Sequence, residues 1–144
     1  VPTLDRTTAR QLALATAVVR SAIGLVALAA PGLAAGLWAD ADARRLASTR
    51  VLARALGARD LALGLGLFLA LRHEGPVRGW VEAGGLADTG DVVATLSRFG
   101  DLPPTGRWLA LGSAAGGAVS ARLLSVLVDL DESGASPVPT PEEV

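Results

Sequence analysis

Residues 22–36 and residues 61–71 contain no polar side chain. A helix built from either stretch is apolar on every side. Such a helix belongs in the core of a large protein or across a membrane. With 144 residues, the chain is long enough for one domain and too short for an interior that hides several all-apolar helices. This points away from a soluble bundle, whose helices need a polar stripe along their length.

Four windows have the length of a membrane span: residues 12–30, 51–71, 77–99 and 108–128. Each is close to the roughly 20 residues that cross about 30 Å of hydrocarbon. The first carries one charge, Arg20, and the second carries Arg54, Arg59 and Asp60. The third is the weakest, with Glu82, Asp88 and Asp91 inside and Arg78 and Arg98 at its ends, and the fourth carries Arg122. Gly- and Pro-containing turns at 72–76 and 100–106 separate the last three. Pro31 ends or kinks the first helix. The segment after it is expected at the membrane interface, with Trp38 at head-group depth. Trp80 and Trp108, near helix starts, fit either interfacial anchoring or ordinary packing. Arg6 and Arg10 precede the first window as they would in a signal peptide. Arg20, however, interrupts the apolar run, and Pro31 falls where cleavage would occur.

The fold expectation is therefore all-α, a four-helix transmembrane bundle with both termini on the same side. Residues 1–130 form the membrane domain of a multi-pass cell-membrane protein. Residues 131–144 form an acidic, Pro-containing tail, and disorder is expected from Asp129 onward. The loop arginines divide four against five between the two sides, which leaves the orientation open.

Composition narrows the chemistry. There is no Cys, which excludes a disulfide scaffold, a thiol nucleophile and cysteine-held zinc or iron–sulfur centres. A net charge of -1 leaves no footprint for nucleic acid. No motif calls for a cofactor or a metal. The run at 63–66 is not a phosphate loop, because no strand precedes it and no Lys-Ser/Thr follows. Nearly half the chain is Ala (28), Leu (25) and Gly (17), a composition suited to helices packed closely in lipid.

The informative residues are charges inside the windows. A charge at mid-bilayer costs about 2.5–3.5 kcal/mol on insertion scales, so it needs a partner or a purpose. Counting about 1.5 Å per residue from the helix ends puts Arg20, Arg59, Asp60 and Asp88 in one layer near the midplane. Arg54 and Asp91 lie shallower on the same side. On the third helix Asp88 and Asp91 share a face with Val81, Gly84, Thr95 and Arg98. Two carboxylates that close repel, so at least one wants an Arg or a proton. Arg59 and Asp60 point about 100° apart and are not expected to pair with each other. Asp60 shares a stripe with Ala53, Gly57 and Gly64, small residues that let another helix approach. The expected site is a cluster of Arg20, Arg54, Arg59, Asp60, Asp88 and Asp91, three positive and three negative. It is either an internal salt-bridge network or a site: a proton relay, an anionic head-group pocket or an acid–base pair.

Outside the cluster, Glu82 is expected near the opposite membrane face, Arg122 close enough to a helix end to snorkel, and His73 in a solvated loop. Ser113, Gly117 and Ser120 form a small-residue stripe on the fourth helix. Together with Gly57, Gly64 and Gly66 on the second, it serves either internal packing or a homodimer face.

The run from Arg54 to Gly66 (RALGARDLALGLG) and the run 86–91 (LADTGD) resemble small actinobacterial four-helix membrane proteins of the DoxX-like superfamily and related domains of unknown function. The resemblance covers roughly residues 10–128 and rests on an Arg-Asp in the second helix and an Asp-x-x-Asp in the third. It implies a four-helix membrane bundle and no particular activity. The metal-binding Asp-x-x-Asp of membrane phosphotransferases needs a further Gly, an Ala-Arg and a second acidic pair, which are missing here.

The leading functional expectation is an integral membrane protein that binds a small or amphiphilic ligand, or serves as an accessory subunit, with the bilayer as its other partner. A second is an intramembrane acid–base enzyme, an isomerase or cyclase on a lipophilic substrate. Asp88 or Asp91 would then be the general acid, and Arg20 or Arg59 would hold an anionic or carbonyl group. A third is proton-coupled transport by an oligomer, with Asp60 and Asp88 titrating.

Overall fold

The computed structural model describes residues 6–133. Among them the chain is helical with no strand: α1 (Arg6–Ala29), α2 (Pro31–Ala35), α3 (Ala47–Arg72), α4 (Val77–Ser97) and α5 (Pro104–Ser133), with one 3-10 turn at Ala43–Arg45. Four of the five helices are long, and each covers one of the four apolar windows. The short α2 begins at Pro31, in the first helical position. A missing N–H costs nothing there, and the proline's fixed φ suits a helix start.

The α3–α4 connection closes the end of α3 with paired hydrogen bonds. His73 N–H reaches Leu69 O at 3.0 Å, and Gly75 N–H reaches Ala70 O at 2.8 Å. The first continues the helical ladder and the second is the 6→1 bond of a Schellman-type ending, whose left-handed position is filled by Glu74 at φ 52° rather than by the glycine beside it. α5 runs to Ser133, past the point where order was expected to stop. The acidic residues from Asp129 do not themselves break a helix. The remainder of the expected tail lies outside the described residues.

α1 lies along α3, and α4 lies along α5, while contact between the two pairs is sparse. The first pair meets backbone to backbone. A Cβ on Gly57 would fall 2.7 Å from the Ala27 Cβ and 2.9 Å from Gly24 O, and one on Gly64 would strike Ser21. The stripe of Ala53, Gly57 and Gly64 is buried along this crossing, which is the close approach that small residues permit. Ala13 and Ala17 of α1, Leu67 and Leu71 of α3, Val81 of α4 and Leu124 of α5 form one apolar cluster. The beginning of α1 and the late part of α5 thus lie at the same end of an up-down-up-down arrangement.

Burial is inverted relative to a water-soluble bundle. The buried apolar residues are mostly alanines, no large side chain among the described residues is fully buried, and the buried set includes Asp88. Leucines and valines cover the outside, with Leu86 of α4 76% exposed and Val119 of α5 60% exposed. Thr7–Ala29 is the one stretch among the described residues that is long and apolar enough to cross a membrane.

Trp80 lies on Gly66, a Cβ on Gly106 would fall 3.0 Å from the Trp38 backbone, and Trp108, 61% exposed, meets Phe99 edge to face at 4.9 Å. His73 is exposed after α3, as expected, and the exposed Glu82 pairs with Arg78 at 2.8 Å one turn away.

Candidate functional site

Five of the six expected cluster residues meet between the helix pairs. Arg20 of α1 reaches two carboxylates: Nη1 donates to Asp60 Oδ1 of α3 at 2.9 Å, and Nη2 donates to Asp88 Oδ2 of α4. Arg59 of α3 forks onto Asp91 of α4, with Nη1 to Oδ1 at 2.9 Å and Nη2 to Oδ2 at 2.7 Å. Its Nη2 also donates to Asp60 Oδ1 at 3.3 Å. Charges of alternating sign therefore run Asp88, Arg20, Asp60, Arg59, Asp91, starting and ending on α4. Side-chain exposure rises along the series, from 10% at Asp88 to 36% at Asp91.

Two expectations are corrected here. Arg59 and Asp60 do pair. The 100° between their Cα–Cβ directions describes where the side chains leave the helix, and the long guanidinium arm swings back across that angle. Arg54 does not join the cluster. It is exposed, and its Nε donates to Leu28 O of α1 at 3.4 Å. It lies more than a turn closer to the start of α3 than Arg59, and a backbone carbonyl near the end of α1 is within easier reach. Without Arg54 the cluster is two positive and three negative.

Small residues make room for these charges. The Arg20 guanidinium passes Gly84 of α4, where a Cβ would come within 3.6 Å of it. The Asp88 carboxylate lies directly against Gly117 of α5, and a Cβ there would collide with it. Of the stripe Ser113, Gly117 and Ser120, Gly117 thus faces inward, while the two serines are exposed.

A cleft of about 470 Å³ adjoins the charge layer, within the range of small-molecule sites. Its charged wall is Arg20, Asp60, Asp88 and Asp91, and its apolar wall includes Leu12, Leu67, Trp80 and Leu124. Val19 and Ile23 of α1 and Ser113 and Ser120 of α5 both line it and are exposed, so its mouth lies between α1 and α5.

No family model matches this chain, and neither does any curated protein or solved structure. Among the described residues no three of His, Asp or Glu are grouped to hold a metal ion. The guanidinium groups stand between the carboxylates instead. Of the two acid candidates, Asp91 has both oxygens engaged by Arg59, while Asp88 is held through Oδ2 and stands on the cleft wall.

Thr16, Trp80 and Ala114 contribute to the cleft and were not picked out as site residues from the sequence. Thr16 sits one turn before Arg20, and Ala114 lies beside the Ser113 position of the small-residue stripe. A search for residues one turn from each buried charge would have found Thr16 and Gly84. Trp80, two turns from Asp88, carried no such signal.

Proposed function

We propose that this chain is an integral membrane protein whose four long helices enclose a charged cleft that receives a small amphiphilic ligand. The cleft carries the proposal: one wall of Arg and Asp, a largely apolar wall facing it, and a mouth that opens sideways between two helices. A molecule dissolved in lipid reaches such a lateral mouth directly.

Membrane embedding is supported by α1, which has the length and apolarity of a span, and by the inverted burial. An exterior of Leu and Val over an interior of Ala, Gly and paired charges suits a lipid solvent. An exposed apolar surface of that extent on a water-soluble chain would be an aggregation hazard. α3 and α4 carry more charge than a plain apolar span does. Arg59, Asp60, Asp88 and Asp91 are nonetheless ion-paired between the helices, the arrangement in which intramembrane charges are tolerated. The resemblance to DoxX-like membrane proteins, carried by Arg59-Asp60 and Asp88-x-x-Asp91, accords with this reading.

The test is calorimetric titration of the full chain in nanodiscs of neutral phospholipid with decanol, decylammonium and decanoate, the heat of empty discs being subtracted. At least one of the three is expected to bind saturably, and Thr16→Phe, which places a ring in the cleft, is expected to weaken that binding about tenfold or more. Absence of saturable heat with all three probes sinks the proposal.

A further inference from the structure

The charges around the cleft do not balance, and we infer that its ligand is a single-chain amphiphile with a cationic, ammonium-type head group. The inference rests on the ligand-binding reading above and adds the sign of the ligand's charge.

Arg20 and Arg59 face Asp60, Asp88 and Asp91, which leaves one negative charge in excess. Arg54, which would have cancelled it, is turned away to Leu28 O. The excess also falls on the cleft side. Asp60, Asp88 and Asp91 line the cleft together with Arg20, while Arg59 stands behind them. In a low-dielectric setting an uncompensated charge is costly, and a ligand that supplies the opposite charge recovers that cost.

Two carboxylate oxygens on this wall are also left without a partner. Asp60 accepts from both arginines through Oδ1, and Asp88 accepts from Arg20 through Oδ2. Among the described residues Asp60 Oδ2 and Asp88 Oδ1 accept no hydrogen bond. Both terminal nitrogens of Arg20 are already donating. The wall therefore offers acceptors to an incoming group, and it suits an N–H donor with a positive charge. An anionic head would meet three carboxylates and a single guanidinium already shared between two of them.

The tail has a defined path. From Arg20 the cleft follows α1 back to Leu12, eight residues or about 12 Å. On that path it is bounded by Leu67, Trp80 and Leu124. A head group at Asp60 and Asp88 with an alkyl chain laid toward Leu12 satisfies both walls at once, and the mouth between α1 and α5 admits such a molecule from the lipid side.

The same titration tests the head group. Decylammonium is expected to bind about tenfold or more tighter than decanol, and decanoate more weakly than either. Asp60→Asn removes the excess charge, so in that variant the advantage of decylammonium over decanol should vanish. Asp91→Asn makes the same charge change at the more exposed end of the cluster and serves if Asp60→Asn does not fold. Equal binding of the three probes, or tighter decanoate, overturns the cationic assignment and leaves the ligand-binding proposal standing. A preference for decylammonium that survives both variants also overturns it, because the preference would then arise elsewhere. Absence of binding by all three removes both proposals.

Discussion

Asp88 and Asp91 lie one turn apart on α4, and each is held by a different helix, Asp88 by Arg20 of α1 and Asp91 by Arg59 of α3. Their mutual repulsion is relieved by two separate cations. Since the helix pairs touch sparsely elsewhere, these ion pairs are a principal tie between α4 and the α1–α3 unit.

The excess negative charge makes the cluster respond unequally to the two kinds of substitution. Arg20→Gln deprives Asp88 of its partner and raises the excess from one negative charge to two, so a loss of about 3–5 kcal/mol is expected. Asp91→Asn brings the cluster to neutrality at its more exposed end and should cost about 1 kcal/mol. Unfolding of the two variants in mild detergent, followed by circular dichroism, measures the difference. Equal losses would contradict the charge count.

Arg54→Gln should change stability by about 0.5 kcal/mol or less, the usual scale for exposed substitutions away from buried networks. The same unfolding assay applies. A loss comparable to that of Arg20→Gln would place Arg54 back inside the charge layer.

Neighbouring glycines on α5 should behave oppositely. A Cβ on Gly117 meets the Asp88 carboxylate, whereas one on Gly116 has nothing within 4 Å. Gly117→Ala is expected to destabilise by about 1–3 kcal/mol through overpacking. Gly116→Ala should be neutral or stabilise by up to about 1 kcal/mol through helix propensity. Thermal melts of the paired variants decide it, and a silent Gly117→Ala would show that Asp88 does not rest against α5.

Leu86 faces outward from α4 two residues before Asp88 and is 76% exposed. If that surface meets lipid, Leu86→Arg places a charge near the midplane at a cost of about 2.5–3.5 kcal/mol. The variant should leave the carbonate-resistant membrane fraction or be degraded. A Leu86→Arg chain that stays folded and becomes more soluble would count against embedding.

The helices were legible in the sequence because hydrophobic windows and Pro/Gly punctuation report directly on backbone conformation. The common level of the charges along the helices was legible as well. A constant rise per residue is enough to bring Arg20, Arg59, Asp60 and Asp88 to one level, and the structure joins all four by ion pairs. Partner choice was less legible, because the reach of a guanidinium is not contained in residue spacing. That is why Arg59 swings onto Asp60 and Arg54 finds Leu28 O. The small-residue stripes showed only that something comes close. That it is Ala27 for Gly57 and the Asp88 carboxylate for Gly117 depends on how helices distant in sequence pair. The cleft, which needs all four long helices at once, was the least visible feature of all.

The series of charges that leaves α4 at Asp88 and returns to it at Asp91 has a mechanical meaning. Sliding α4 by a single residue against its neighbours would turn it by about 100° and shift it by about 1.5 Å, pulling both carboxylates from their arginines in the same movement. α4 therefore sits like a key held by two pins, with one admissible setting in an alanine-lined barrel that would otherwise accept several.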